Sequence, residues 1–128
     1  MKIDYQENIN EFGENVVRIY DFNKEEAGYF RDLIREIIVN RNLKLDLSQA
    51  DFINTEKINI ILGIYKEDEG ILTEDNQTFF CLLTKVQYEK MLNLIEPFCH
   101  KESKGFQYLY EVDNPTDLLF VPAAKDID

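Results

Sequence analysis

The sequence predicts a two-layer α+β domain, a mostly antiparallel sheet of five or six strands with two helices on one face. Three observations carry that expectation. Short runs of β-branched and aromatic residues recur along the chain, several with period-two patterning. Two other stretches place apolar residues at helical spacing directly after a capping signature. The length of 128 residues, with 45% apolar content, suits one core rather than two.

The first strand is Val16-Val17-Arg18-Ile19-Tyr20-Asp21-Phe22. Residues 1–14 precede it without a comparable pattern and are expected to fray. Asn23 with Glu26 forms a capping box, and Ala27, Phe30, Ile34, Ile37 and Ile38 share the face of a helix ending near Asn40. Leu43-Lys44-Leu45-Asp46-Leu47 alternates as a half-buried strand, and residues 48–57 form a loop. Ile58 to Tyr65 is the most apolar segment and should be a central strand, with Ile58, Ile60, Leu62 and Ile64 on one face. Lys66 to Gln77 is a polar excursion of the kind found at a hairpin tip, extended by Ile71 and Leu72.

Phe79-Phe80-Cys81-Leu82-Leu83 is the next strand. Thr84 with Gln87 caps a second helix marked by Tyr88, Met91, Ile95 and Phe98, whose last turn Pro97 should bend or end. Phe106 to Val112 alternates, residues 113–116 turn, and Asp117 to Val121 closes the sheet as the hairpin partner. The tail from 123 is expected to fray. Asn23 and Thr84 lie 61 residues apart, and the same offset superposes Phe30 on Met91 and Ile34 on Ile95, which raises a βαββ pseudo-repeat.

Charge and chemistry narrow the function classes. Against 25 Asp and Glu there are 14 Lys and Arg, a net charge of −11 that disfavours unaided binding to nucleic acid or anionic membrane. No apolar run is long enough to span a bilayer, and the start has no secretory pattern, so a cytoplasmic protein with Cys81 and Cys99 reduced is expected. His100 beside Cys99 does not make a nucleophile and base, because helix neighbours face about 100° apart. Two Cys and one His in no metal-like spacing fall short of a zinc site. Asp32 and Glu36 share a helix face but belong to a mixed charged surface with Arg31 and Arg35. The five Gly are scattered, so no phosphate-cradling loop is present, and no cofactor is expected.

By elimination the chain reads as a non-enzymatic protein-interaction module that self-associates through an open sheet face or an edge strand. Phe106, Tyr108 and Tyr110 share a strand face in the alternating pattern, with Phe120 on the partner strand. These four are the candidate contacts. The alternative is an acidic, immunity-like inhibitor that occupies a basic site on a partner through Glu67, Asp68, Glu69, Glu74 and Asp75. A small-ligand binder or enzyme with an unrecognised cleft is the third reading.

Overall fold

Val17 and Ile19 point to one side of a strand and are fully buried, and the strand they make organises the first of two sheets. The computed structural model describes residues 1–123. Its elements run β1 (Lys2–Gln6), β2 (Asn15–Tyr20), α1 (Lys24–Leu33), β3 (Leu45–Asp46), β4 (Asn59–Ile64), β5 (Gly70–Thr73), β6 (Thr78–Leu83), α2 (Lys85–Ile95), β7 (Gln107–Tyr108) and β8 (Thr116–Val121). Ala123 is held by an N–H bond of 3.0 Å to the carbonyl of Phe22, and the rest of the expected fraying tail lies outside the described residues.

The α+β class and the two helices stand, but one mostly antiparallel sheet is replaced by two mixed four-stranded sheets, ordered β1-β2-β8-β7 and β3-β4-β6-β5. In each, the central pair is parallel (β2 with β8, β4 with β6) and the outer strands are antiparallel. Local alternation reports which side chains are buried, not which distant strand is the neighbour. The stretch from Lys66 to Gln77 shows the difference. Read as a hairpin tip, it would set β6 antiparallel to β4. The whole stretch is a crossover that returns the chain so that β6 runs parallel to β4, and the hairpin tip is its last part, residues 74–77, which join β5 to β6 with Ile71 and Leu72 paired to Cys81 and Phe80.

Two further boundaries depart from expectation. Residues 2–6 form an edge strand rather than a frayed end. Ile3 joins the core while Asp4 accepts the Arg18 guanidinium on the outer face, its Oδ1 lying 2.8 Å from Nε. The alternating run from Phe106 to Val112 forms a strand over Gln107 and Tyr108 alone, the Leu109 N–H makes a last bond of 2.9 Å to the Leu118 carbonyl, and Leu109 and Tyr110 are both buried as the chain bends. The Leu43–Leu47 strand likewise shortens to β3. Asp46 accepts from the Ser48 N–H at 3.0 Å and starts a 3₁₀ turn over Leu47–Gln49.

Helix starts follow the capping logic. The Asn23 side chain accepts from the Glu26 N–H at 2.8 Å and Glu26 returns the bond to the Asn23 N–H at 3.2 Å. From Ile34 the helix widens into a π-helical segment reaching Asn40. Thr84 accepts from the Gln87 N–H, but the N–H of Thr84 goes to the Asp68 carboxylate at 2.7 Å, so an acid of the crossover replaces the Gln87 limb of the box. α2 ends at Ile95 and Pro97 sits in a 3₁₀ turn over Glu96–Cys99, as the missing proline N–H requires.

The core forms around the inward faces of both sheets. Phe120 of β8 is its aromatic hub, with Phe22 at 4.1 Å, Phe98 at 5.3 Å and Phe30 of α1 at 5.8 Å between ring centroids. Tyr5 of β1 reaches across to Phe79 of β6 at 4.7 Å. Two buried phenols fasten backbone to backbone. Tyr88 of α2 accepts from the Gly63 N–H at 2.9 Å and donates to the Cys81 carbonyl, bridging β4 and β6. Tyr110 accepts from the Ile71 N–H at 3.1 Å and donates to the Thr116 carbonyl, joining β5 of one sheet to β8 of the other.

Candidate interaction surface

The outer faces of the two sheets differ in chemistry. On the first, Asp4, Arg18 and Tyr20 make the β1–β2 side polar, with the Arg18 guanidinium over the Tyr20 ring at 4.4 Å, and the same row continues through Leu119 to Tyr108 at the other edge. On the second, register sets Ile61, Phe80 and Leu72 side by side across β4, β6 and β5. Phe80 is 39% exposed and its cross-strand partner Leu72 43%. With Leu82 they floor a shallow groove of about 540 Å³ whose wall carries Glu74, Asp75 and Thr78.

Turn chemistry explains why that wall stays charged. Asp75 accepts from the N–H groups of Gln77 and Thr78, both at 2.9 Å, and these backbone bonds hold its carboxyl below the usual range. At the other edge, Asp46 is held low by the Ser48 hydroxyl and the Asn59 amide.

Of the acids singled out in the sequence, Asp68 is committed to the start of α2 and Asp75 to its own turn, while Glu67 and Glu74 are exposed. Glu69 is half-buried and contributes its backbone, the N–H to Leu82 and the carbonyl to Asn114.

The four aromatic candidates separate. Phe106 and Tyr108 are exposed, 62% and 41%, and meet edge-to-face at 5.7 Å. Tyr110 and Phe120 are core residues, so the shared strand face dissolves at the bend after β7. Beside Tyr108 a second groove of about 540 Å³ runs between β7 and α2, past Gln87, Lys90 and Asn93.

The reactive groups do not assemble. Cys81 is fully buried on β6, and burial pushes its thiol up to about 12. His100 is exposed and pairs with Glu96 at 2.8 Å, and that imidazole and Arg31 hold the Glu96 carboxyl low. Asp32 pairs with Arg31 and Arg35, and Glu36 accepts from Asn40, the mixed charged surface expected of them. Among the described residues, no three His, Cys, Asp or Glu side chains are grouped to hold a metal ion, and no helix is long and apolar enough to cross a membrane.

One feature escaped the sequence reading. Phe12, 80% exposed, stands at the tip of the β1–β2 loop, and Ile9 beside it is 45% exposed. Asn10 orders this tip, its side-chain oxygen accepting from the Phe12 N–H at 2.9 Å and its amide donating to Glu14 at 2.8 Å. The loop touches the β5–β6 turn through the Asn76 amide and Glu7 at 2.9 Å. It touches the β7–β8 turn through the Asn15 N–H and the Pro115 carbonyl at 2.8 Å. The signal available was the spacing of basic residues: there is none in 7–17, 67–84 or 105–124. Compared with known protein families, curated proteins and solved structures, the chain matches none.

Proposed function

We propose that this protein is a non-catalytic interaction module that docks through the outer face of its second sheet. The observation that carries the reading is the exposed Leu72–Phe80 cross-strand pair, continued by Ile61 and Leu82. A large apolar pair left in water on a face that no element among the described residues covers is the composition of a docking surface, whereas isolated apolar side chains need no explanation. The unpaired thiols Cys81 and Cys99 suit a reducing, cytoplasmic setting. The 61-residue spacing of the two helix caps suits a duplicated βαββ unit, each sheet taking one central strand from either half.

The test is whether the pair serves the fold. Leu72→Ser and Phe80→Ser should each leave the unfolding free energy from urea titration within about 0.5 kcal/mol of the parent, as surface substitutions do, and raise solubility. Losses above about 1 kcal/mol would show that these side chains are structural and remove the reading. Self-association through Phe106 and Tyr108 is the second reading, favoured by their exposed edge-to-face pair on edge strand β7. Light scattering of the parent and of Tyr108→Ser decides it: a dimer that Tyr108→Ser dissociates supports it, and a monomeric parent rejects it.

A further inference from the structure

The geometry points to a particular occupant: a polypeptide whose docking segment carries Lys or Arg around a bulky apolar residue, received at the end of the molecule where Phe12, Leu72 and Phe80 are exposed. This deepens the interaction reading and rests on it.

Convergence of charge is the first support. The β1–β2 loop brings Glu7, Glu11 and Glu14, the β5–β6 turn brings Glu74 and Asp75, and the β7–β8 region brings Asp113 and Asp117, from three segments that hold none of the 14 Lys and Arg. Two hydrogen bonds tie the first segment to the other two: Asn76 to Glu7 and Asn15 to Pro115. Asn114 ties the third to the second, its amide donating to the carbonyls of Glu69 and Ile71 at 2.7 and 3.0 Å. The crowding is felt inside the cluster, where burial and the charge of Glu14 raise the Asp117 carboxyl.

Apolar anchors inside this field are the second support. Phe12 is held out by a loop whose N–H groups are tied to Asn10 and whose Gly13 takes φ +73°, so little order remains to be imposed on binding. Aromatic anchors on ordered elements, surrounded by complementary charge, are where binding energy concentrates.

The same charge argues against a second copy as the occupant. A two-fold interface sets a patch against itself, which here would press Glu7, Glu11, Glu74 and Asp75 onto their own counterparts. Like charges juxtaposed in that way oppose association. A basic segment instead neutralises the field while its apolar residue covers Phe12 or the Leu72–Phe80 pair.

The probe is a set of synthetic peptides rich in Lys and Arg, each carrying one Phe, Leu or Ile, with matched peptides of equal charge in which that residue is Ser. Binding to the full chain is followed by fluorescence anisotropy and by backbone amide shifts. The anchored peptides should bind more tightly than their Ser partners and weaken between about 0.05 M and about 0.5 M salt. Phe12→Ala or Phe80→Asp should weaken them about tenfold, and shifts should centre on residues 7–15 and 72–80. Phe106→Ala should change nothing, and unchanged far-UV circular dichroism confirms that the variants fold.

Equal binding of the Ser peptides, or indifference to both Phe12→Ala and Phe80→Asp, would overturn the proposal in favour of diffuse charge attraction. No binding even at low salt would also overturn it. A parent dimer dissociated by Phe80→Asp would overturn the choice of occupant while leaving the interaction reading intact.

Discussion

Removing one oxygen atom from Tyr88 tests the account of the second sheet. Tyr88→Phe keeps the ring among its neighbours but withdraws a hydroxyl that the Gly63 N–H donates to at 2.9 Å and that itself donates to the Cys81 carbonyl. Tyr88 and Cys81 are fully buried and Gly63 is buried, so water cannot take over. A buried donor or acceptor left without a partner costs about 1–3 kcal/mol. The Gly63 N–H loses its partner outright, while the Cys81 carbonyl retains a second lone pair. The cost should therefore be about 2–4 kcal/mol, a large fraction of the roughly 5–15 kcal/mol that holds a domain of this size. Urea unfolding followed by circular dichroism reads it directly. With a slope of about 2 kcal/mol per molar the midpoint should fall by about 1–2 M at unchanged slope. Tyr29→Phe, on an exposed ring of α1, is the control and should not move it. A fall below about 0.3 M for Tyr88→Phe would show that the two strands do not depend on the phenol as a bridge.

Two glycines predict opposite signs. Gly70 takes φ +81° and a Cβ there would sit 2.8 Å from the Asn114 amide and 3.2 Å from the Tyr110 hydroxyl, so Gly70→Ala should cost about 2 kcal/mol or more and loosen the seam between the sheets. Gly28 lies within α1 with nothing within 4 Å of a Cβ, so Gly28→Ala should stabilise by about 0.5–1 kcal/mol in the same urea assay. The Cys81 thiol, raised to about 12, should resist a thiol reagent at pH 8 in the folded protein and react once urea unfolds it. Because its proton is held more tightly in the native state, its contribution is whole below the unfolded thiol value near 9 and is lost as pH rises from there toward 12. Asp117 has the same sign in a lower window: burial and the charge of Glu14 raise its carboxyl, so the ionised form is disfavoured on folding and that penalty is already in force at neutral pH. Asp117→Asn should therefore raise the thermal midpoint at pH 7, with the gain closing as pH falls and the parent carboxyl protonates.

The parts of this fold legible in the sequence are those decided within a few residues. Asn23 and Thr84 start the helices because a cap needs only an acceptor within reach of the next turn, and Pro97 ends α2 because it lacks an N–H. Ile60 and Leu62 are core because period two reports burial directly. What was not legible depends on distant partners. β2 and β8 pair in parallel although almost the whole chain separates them, and nothing in Val16–Tyr20 announces Thr116–Val121. Tyr108 and Tyr110 read as one stripe, yet only two residues of β7 find ladder partners, and past them the hydroxyl of Tyr110 is drawn inward by Ile71 and Thr116. The acidic end was half visible: the long intervals without Lys or Arg are in the sequence, while their meeting depends on the backbone N–H of Asn15 and on the side chains of Asn76 and Asn114, polar residues that any surface loop would carry.

How the sheet edges are closed bears on where a partner can dock. Edge strands offer unpaired N–H and C=O groups to other chains, and proteins blunt them with short strands, charges or covering groups. Here β3 and β7 are two residues each, too short to template a ladder. On β5 the Ile71 N–H is taken by Tyr110 and the carbonyls of Glu69 and Ile71 by Asn114, so side chains occupy the place a new strand would take. β1 carries Lys2, paired with Asp21 and bridged to Asn54. With strand addition opposed at these four edges, association is left to side chains. The Phe12 tip and the Leu72–Phe80 face are where apolar side chains meet water inside the acidic field. An interface of that kind is read by surface shape and charge rather than by backbone ladder, so it should weaken with salt and with loss of one ring. A strand-augmented complex would tolerate both.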